Sequence, residues 1–112
     1  MRNTIHVDGH EAAVSYDSEA NMLRGDFLGL NGEVEFYATD VESLKAEGSL
    51  SLQAYLAACR EDGIEPQRHY SGRFNLRVSP ELHRALSIAA GAAGQSINSL
   101  VARTLQSAYG DR

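Results

Sequence analysis

Arg73, Asn75 and Arg77 alternate with Phe74, Leu76 and Val78 over six consecutive residues. A period of two puts the three polar side chains on one side of an extended strand and the three apolar ones on the other. Arginine and asparagine are well shaped for the base edges of a DNA major groove, arginine for guanine and asparagine for adenine. A two-stranded ribbon fits that groove. The chain holds only one such strand, so a second copy would have to supply the other. The plainer reading is the wet face of an ordinary amphipathic strand. Two capped helices behind the strand, and the basic charge around it, weigh against that reading.

Both helices are short and are predicted from local signals. Ser79-Pro80-Glu81 is a helix start: serine caps, proline suits the first helical position, and glutamate favours the positive helix end. Leu82, Leu86, Ala89, Ala90 and Ala93 form one stripe, and Gly94 stops the helix. Ser96 caps a second helix with the stripe Ile97, Leu100, Val101, Thr104, Leu105 and Ala108, ending at Gly110. The Ser96 hydroxyl and the free N–H groups of Ile97 and Asn98 could hold a phosphate. Helix capping accounts for Ser96 and Asn98 equally well.

A strand and two helices in about forty residues are too few to bury a core alone. A lone strand also leaves both edges unpaired. Antiparallel pairing with the same strand of a second chain resolves both difficulties and predicts an isologous dimer. Phe74, Leu76 and Val78 then enter a shared core, and Arg73, Asn75 and Arg77 of both chains form one outward strip.

The net charge of −5 conceals an asymmetry: residues 1–67 carry −9 and residues 68–112 carry +4. The basic half can attract phosphate, and the acidic half suits a basic protein. The 112 residues are 43% hydrophobic and 22% charged, the balance of a soluble globular chain. No apolar run reaches the length of a membrane span and no signal-peptide pattern opens the chain, so a cytoplasmic protein is expected. The single Cys59 has no partner for an internal disulfide.

The acidic half reads as an α+β domain. Residues 1–10 read as an irregular lead-in. Glu11–Tyr16 is predicted as a strand with Ala12, Val14 and Tyr16 on one face, and Met22–Leu30 as a second. Asn31-Gly32 is read as a hairpin turn leading into a third strand, Glu33–Tyr37, with Val34 and Phe36 inward. The expected result is a three-stranded antiparallel sheet with one apolar face. Asp40 caps the helix that covers it, over residues 41–61, with Val41, Leu44, Leu52, Tyr55, Leu56 and Cys59 at helical spacing. Gly48 and its serine neighbours Ser49 and Ser51 predict that this helix is bent or weak in its middle. Gly63 stops it. The resulting division is a domain over residues 1–63, a linker over 64–72 punctuated by Pro66 and Gly72, and a domain over 73–112.

Other candidate chemistry is weaker. Asp17, Glu19, Asp26, Glu33 and Glu35 would have to converge to hold the metals of a two-metal nuclease, and they read instead as turn residues and the solvated side of the sheet. His6, His10, His69 and His83 lack the spacing of a metal site, and Cys59 lies on a helix stripe as a small hydrophobe. No catalytic residue, metal or cofactor is expected.

The stretch Tyr70–Leu86, with Gly94-Gln-Ser-Ile-Asn-Ser-Leu100 after it, resembles the ribbon-helix-helix module of HicB-family antitoxins. The three strands and helix ahead of it, with Tyr55-Leu56 and Pro66, look like the HicB N-terminal domain. The resemblance runs from about residue 11 to the end of the chain. It implies a partial ribonuclease-H-like N-terminal domain that blocks a small HicA-like ribonuclease, and a DNA-binding domain that represses the operon. On the family's pattern Arg73, Asn75 and Arg77 face bases, and Ser96, Ile97 and Asn98 contact phosphate. Implied partners are operator DNA, a small basic HicA-like toxin and a second copy of the chain, with a tetramer left open. The alternative is a stand-alone ribbon-helix-helix regulator whose N-terminal domain binds another protein or a small ligand. Gly48 departs from the pattern, which leads one to expect a large apolar residue there.

Overall fold

The computed structural model of the protein describes residues 3–110. The outer limits of the two expected domains, residues 1 and 112, lie outside the described residues. The chain divides into two compact units, Met1–Ser71 and Gly72–Arg112.

The first unit is an antiparallel sheet in the order β1-β2-β3-β4, built from β1 (Thr4–Val7), β2 (His10–Asp17), β3 (Met22–Phe27) and β4 (Glu35–Ala38), with one helix, α1 (Val41–Asp62). It has four strands where the sequence predicted three. The extra strand lies within the stretch read as a lead-in, where Ile5 and Val7 alternate with Thr4 and His6. Asp8 and Gly9 both adopt positive φ, at 49° and 81°, between the paired residues Val7 and His10. Two such residues make a tight hairpin whose twist matches that of the strands.

The Asn31-Gly32 hairpin does not form. β3 ends at Phe27, and residues 28–34 make a longer loop with its positive φ at Gly29. Leu30, 2% exposed, turns into the core. Asn31 and Gly32 hold another segment instead. The Asn31 N–H donates to the Pro66 carbonyl at 2.9 Å, and its side-chain amide donates to the Glu65 carbonyl at 3.3 Å. The Arg68 N–H donates to the Gly29 carbonyl at 2.9 Å, and Leu30 bridges Gln67. Residues 65–68 are thereby strapped onto the sheet domain.

The Tyr55 hydroxyl closes the strap. It accepts from the Gly32 N–H at 3.1 Å and donates to the Pro66 carbonyl at 2.9 Å. Burial pushes its phenol above the ordinary value, and the neighbouring Cys59 thiol adds to the shift. Tyr55→Phe removes both bonds, at about 1 kcal/mol each. Amide exchange at Asn31 and Arg68 is expected to accelerate while the β2–β3 amides stay protected. Unchanged exchange at Arg68 would show that Tyr55 does not hold the strap.

α1 covers one face of the sheet. The Asp40 carboxylate caps it, accepting from the Ser43 N–H at 2.8 Å. That bond, with a second from the Ser43 hydroxyl, holds the Asp40 carboxyl below the usual carboxylate range. At the other end Gly63 adopts φ 66°, and the Ile64 N–H donates back to the Cys59 carbonyl. The helix is unbroken across Gly48, where the sequence predicted a bent or weak middle. Packing overrides the weak propensity of glycine. Gly48 is buried, and a Cβ placed on it would sit 2.8 Å from Cε2 of Phe36. Gly25 on β3 leaves the same ring still less space. The Phe36 ring thus fills the place of the large residue expected at position 48. It packs on Phe27 with ring centroids 4.9 Å apart, and Leu44 and Leu52 close the core at 0% exposure. Tyr16, expected on the apolar face, is exposed near the sheet margin and donates from its hydroxyl to the Asn21 side chain.

The second unit holds α2 (Pro80–Ala92) and α3 (Ile97–Tyr109) behind an arm of residues 73–79. Its caps follow the sequence: the Ser79 hydroxyl accepts from the Leu82 N–H at 3.1 Å, and Ser96 from the Ser99 N–H at 3.0 Å. Among the described residues, no helix is long and apolar enough to cross a membrane.

Candidate nucleic-acid interface

The arm is where the sequence placed its chemistry. Residues 73–79 form neither helix nor strand ladder in the single chain. A ladder needs a partner strand, and the described part of this unit contains none. Phe74 is 75% exposed and Leu76 61%, and Leu82 and Ile88 on α2 are also largely exposed. Ala90 is the one buried hydrophobic residue among the described part of this unit. Two helices and an arm therefore display apolar side chains that a folded domain ordinarily encloses.

Phe74, Asn75 and Leu76 line two open clefts. One, of about 430 Å³, continues along Asn98, Val101 and Leu105 and includes Arg73. The other, of about 450 Å³, is completed by Val78, His83, Leu86 and Ile97, with Asn98 and Val101 again on its wall. The structure thus brings Arg73, Asn75, Ile97 and Asn98 around one stretch of α3. Arg77 is exposed and lines neither cleft. Ser96 is exposed at the α3 start, where its hydroxyl accepts from the Ser99 N–H and donates to the Ser99 hydroxyl at 3.0 Å. That leaves Ile97 and Asn98 as first-turn residues, whose N–H groups have no intrahelical acceptor.

The sheet carboxylates have other tasks. Asp17 Oδ1 accepts from the N–H groups of Glu19 and Ala20 and shapes the β2–β3 turn. Asp26 and Glu35, paired across β3 and β4, converge on Arg24 at 3.1 and 2.5 Å. The hydrogen bond to Asp26 leads in raising the Arg24 pKa, and the carboxylates leave Arg24 firmly charged. Among the described residues, no three His, Cys, Asp or Glu side chains gather as a metal site would require. Cys59 is buried beside Tyr55 on α1.

Sequence reasoning missed the role of Asn31, Gly32 and Tyr55 in docking residues 65–68. The signal was present as Tyr55 and Pro66, but nothing in their spacing says that a phenol on a helix meets a carbonyl eleven residues later.

The HicB family model matches residues 55–105. The matched segment opens at Tyr55, takes in the strap and the arm, and closes at Leu105 on α3. Over that segment the chain is similar to the HicB family. HicB proteins are generally the antitoxins of toxin–antitoxin pairs, with a HicA toxin as partner. The four-stranded sheet lies ahead of the match. No curated protein and no solved structure matches the chain.

Proposed function

We propose that the protein is a HicB-type antitoxin that neutralises a small basic HicA-like ribonuclease and represses its own operon. It acts by binding, without catalysis. The observation that carries the DNA-binding half is the arm: Phe74 and Leu76 are exposed on a unit in which Ala90 is the one fully buried hydrophobic residue among those described. Pairing two arms antiparallel makes a two-stranded ribbon, gives the four helices a common core, and turns Arg73, Asn75 and Arg77 of both chains outward. The first turn of α3, at Ile97 and Asn98, then lies where it could take a backbone phosphate. In this reading residues 73–112 form a ribbon-helix-helix domain that works as a dimer in the cytoplasm.

The acidic first unit supports the second half. Residues 1–67 carry −9, the complement of a protein that must itself bind RNA. The test is RNA cleavage by a small basic HicA-like protein encoded beside this chain, with and without the chain; the absence of such a neighbouring gene would itself count against this half of the reading. Added chain should abolish cleavage at one-to-one stoichiometry. Undiminished cleavage would favour a stand-alone ribbon-helix-helix regulator whose first unit binds another protein or a small ligand. The position of the family match, which leaves the sheet outside it, gives that second reading its footing.

A further inference from the structure

α1 carries an uncharged strip opposite its buried side. At about 3.6 residues per turn, Leu44, Gly48, Leu52 and Cys59 form the side buried on the sheet. Ala46, Leu50, Gln53 and Ala57 lie on the opposite side, spaced four, three and four residues apart. All four are exposed, Leu50 to 67%. With Leu50 and the two alanines on the outward side, α1 is only weakly amphipathic for a helix that covers a sheet. The spacing is that of a coiled-coil seam, and the alanines permit close approach of a second helix. No charge interrupts this strip, although the surrounding segment is strongly acidic.

We propose that this outward side of α1 is a docking surface for α1 of a second copy, packed antiparallel about a two-fold axis near Leu50. The charges select that occupant. Glu42 and Arg60 flank the strip on the same side, near its two ends. A parallel pair would keep Glu42 of each copy at the opposite end of the pair from Arg60 of the other. An antiparallel pair sets Glu42 of each copy beside Arg60 of the other, twice by symmetry, with Leu50 near the centre and Ala46 facing Ala57. An acidic surface with no internal complementarity would instead suit only a basic partner.

This surface is independent of the C-terminal arm. If the arm forms ribbons, α1 pairing joins two ribbon dimers into a tetramer. If it does not, α1 pairing yields a dimer. Sedimentation velocity of the full chain distinguishes the cases. Leu50→Glu is expected to halve the assembly mass while the thermal transition is retained, because Leu50 takes no part in the core. Glu42→Arg should weaken self-association at least tenfold, and Glu42→Arg with Arg60→Glu should restore it. An unchanged mass for Leu50→Glu overturns the proposal, as does a charge-swapped double variant no better than Glu42→Arg alone. A starting mass of two chains rather than four would count against the ribbon and leave the α1 pairing intact, provided Leu50→Glu still halves it.

Discussion

Leu76→Asp should halve the assembly mass and weaken operator binding at least a thousandfold. In an antiparallel ribbon Leu76 of both chains enters the common core, so each substitution acts twice. Emptying one buried leucine site costs about 2–5 kcal/mol, and an unpaired carboxylate in its place costs more. Two such sites exceed the ~4 kcal/mol that a thousandfold change requires. The single chain loses little, because Leu76 is 61% exposed in it. The helices should remain, their Ser79 and Ser96 caps being untouched. Light scattering and fluorescence anisotropy check the two effects together. A variant with wild-type mass and wild-type DNA affinity would mean that the arm is not half of a ribbon.

The second large effect concerns the ring between two glycines. Phe36→Ala should cost about 3–5 kcal/mol, a large part of the roughly 5–15 kcal/mol that holds a small domain together. Gly48→Ala is the sharper experiment, because two effects oppose. Alanine in a helix interior favours folding by about 1 kcal/mol over glycine. Its Cβ would lie 2.8 Å from the Phe36 ring, and overpacking of this kind costs about 1–3 kcal/mol. The ring cannot retreat, since Gly25 on β3 already gives it the closest approach. Gly48→Ala should therefore lower the thermal midpoint in the wild type. In a Phe36→Leu background it should raise it, a reversal of sign between contacting positions. A higher midpoint for Gly48→Ala in the wild type would contradict this account of the core.

The same pair explains what the sequence could and could not say. The alternation of Phe36 with Glu35 and Tyr37, the Asp40 cap and the Gly63 stop were readable, because each is a local rule. The tolerance of α1 for Gly48 was not, because it depends on a ring from a different strand. β1 was legible in principle: Asp8-Gly9 is as strong a hairpin dipeptide as Asn31-Gly32, and Ile5 and Val7 alternate ahead of it. The outcome at the two dipeptides diverged where Leu30 turns into the core and Asn31 and Gly32 find partners at residues 55, 65 and 66. At the candidate interface the alternation of residues 73–78 and both serine caps were visible. The arm's conformation was not, since its ladder would have to be made with another chain.

The most direct measurement is a titration of a labelled duplex from the chain's own upstream region, read by anisotropy at two salt concentrations. The protein is compared with an Arg73→Ala/Asn75→Ala/Arg77→Ala variant. Base-reading side chains contribute about 1–3 kcal/mol each, and a dimer carries six of them. The wild type should bind the specific duplex well above a scrambled one, and weaken steeply with added salt. The triple variant should keep the wild-type mass and lose at least a thousandfold in specific affinity. Specific binding that survives the triple substitution would contradict the claim that this strip reads DNA.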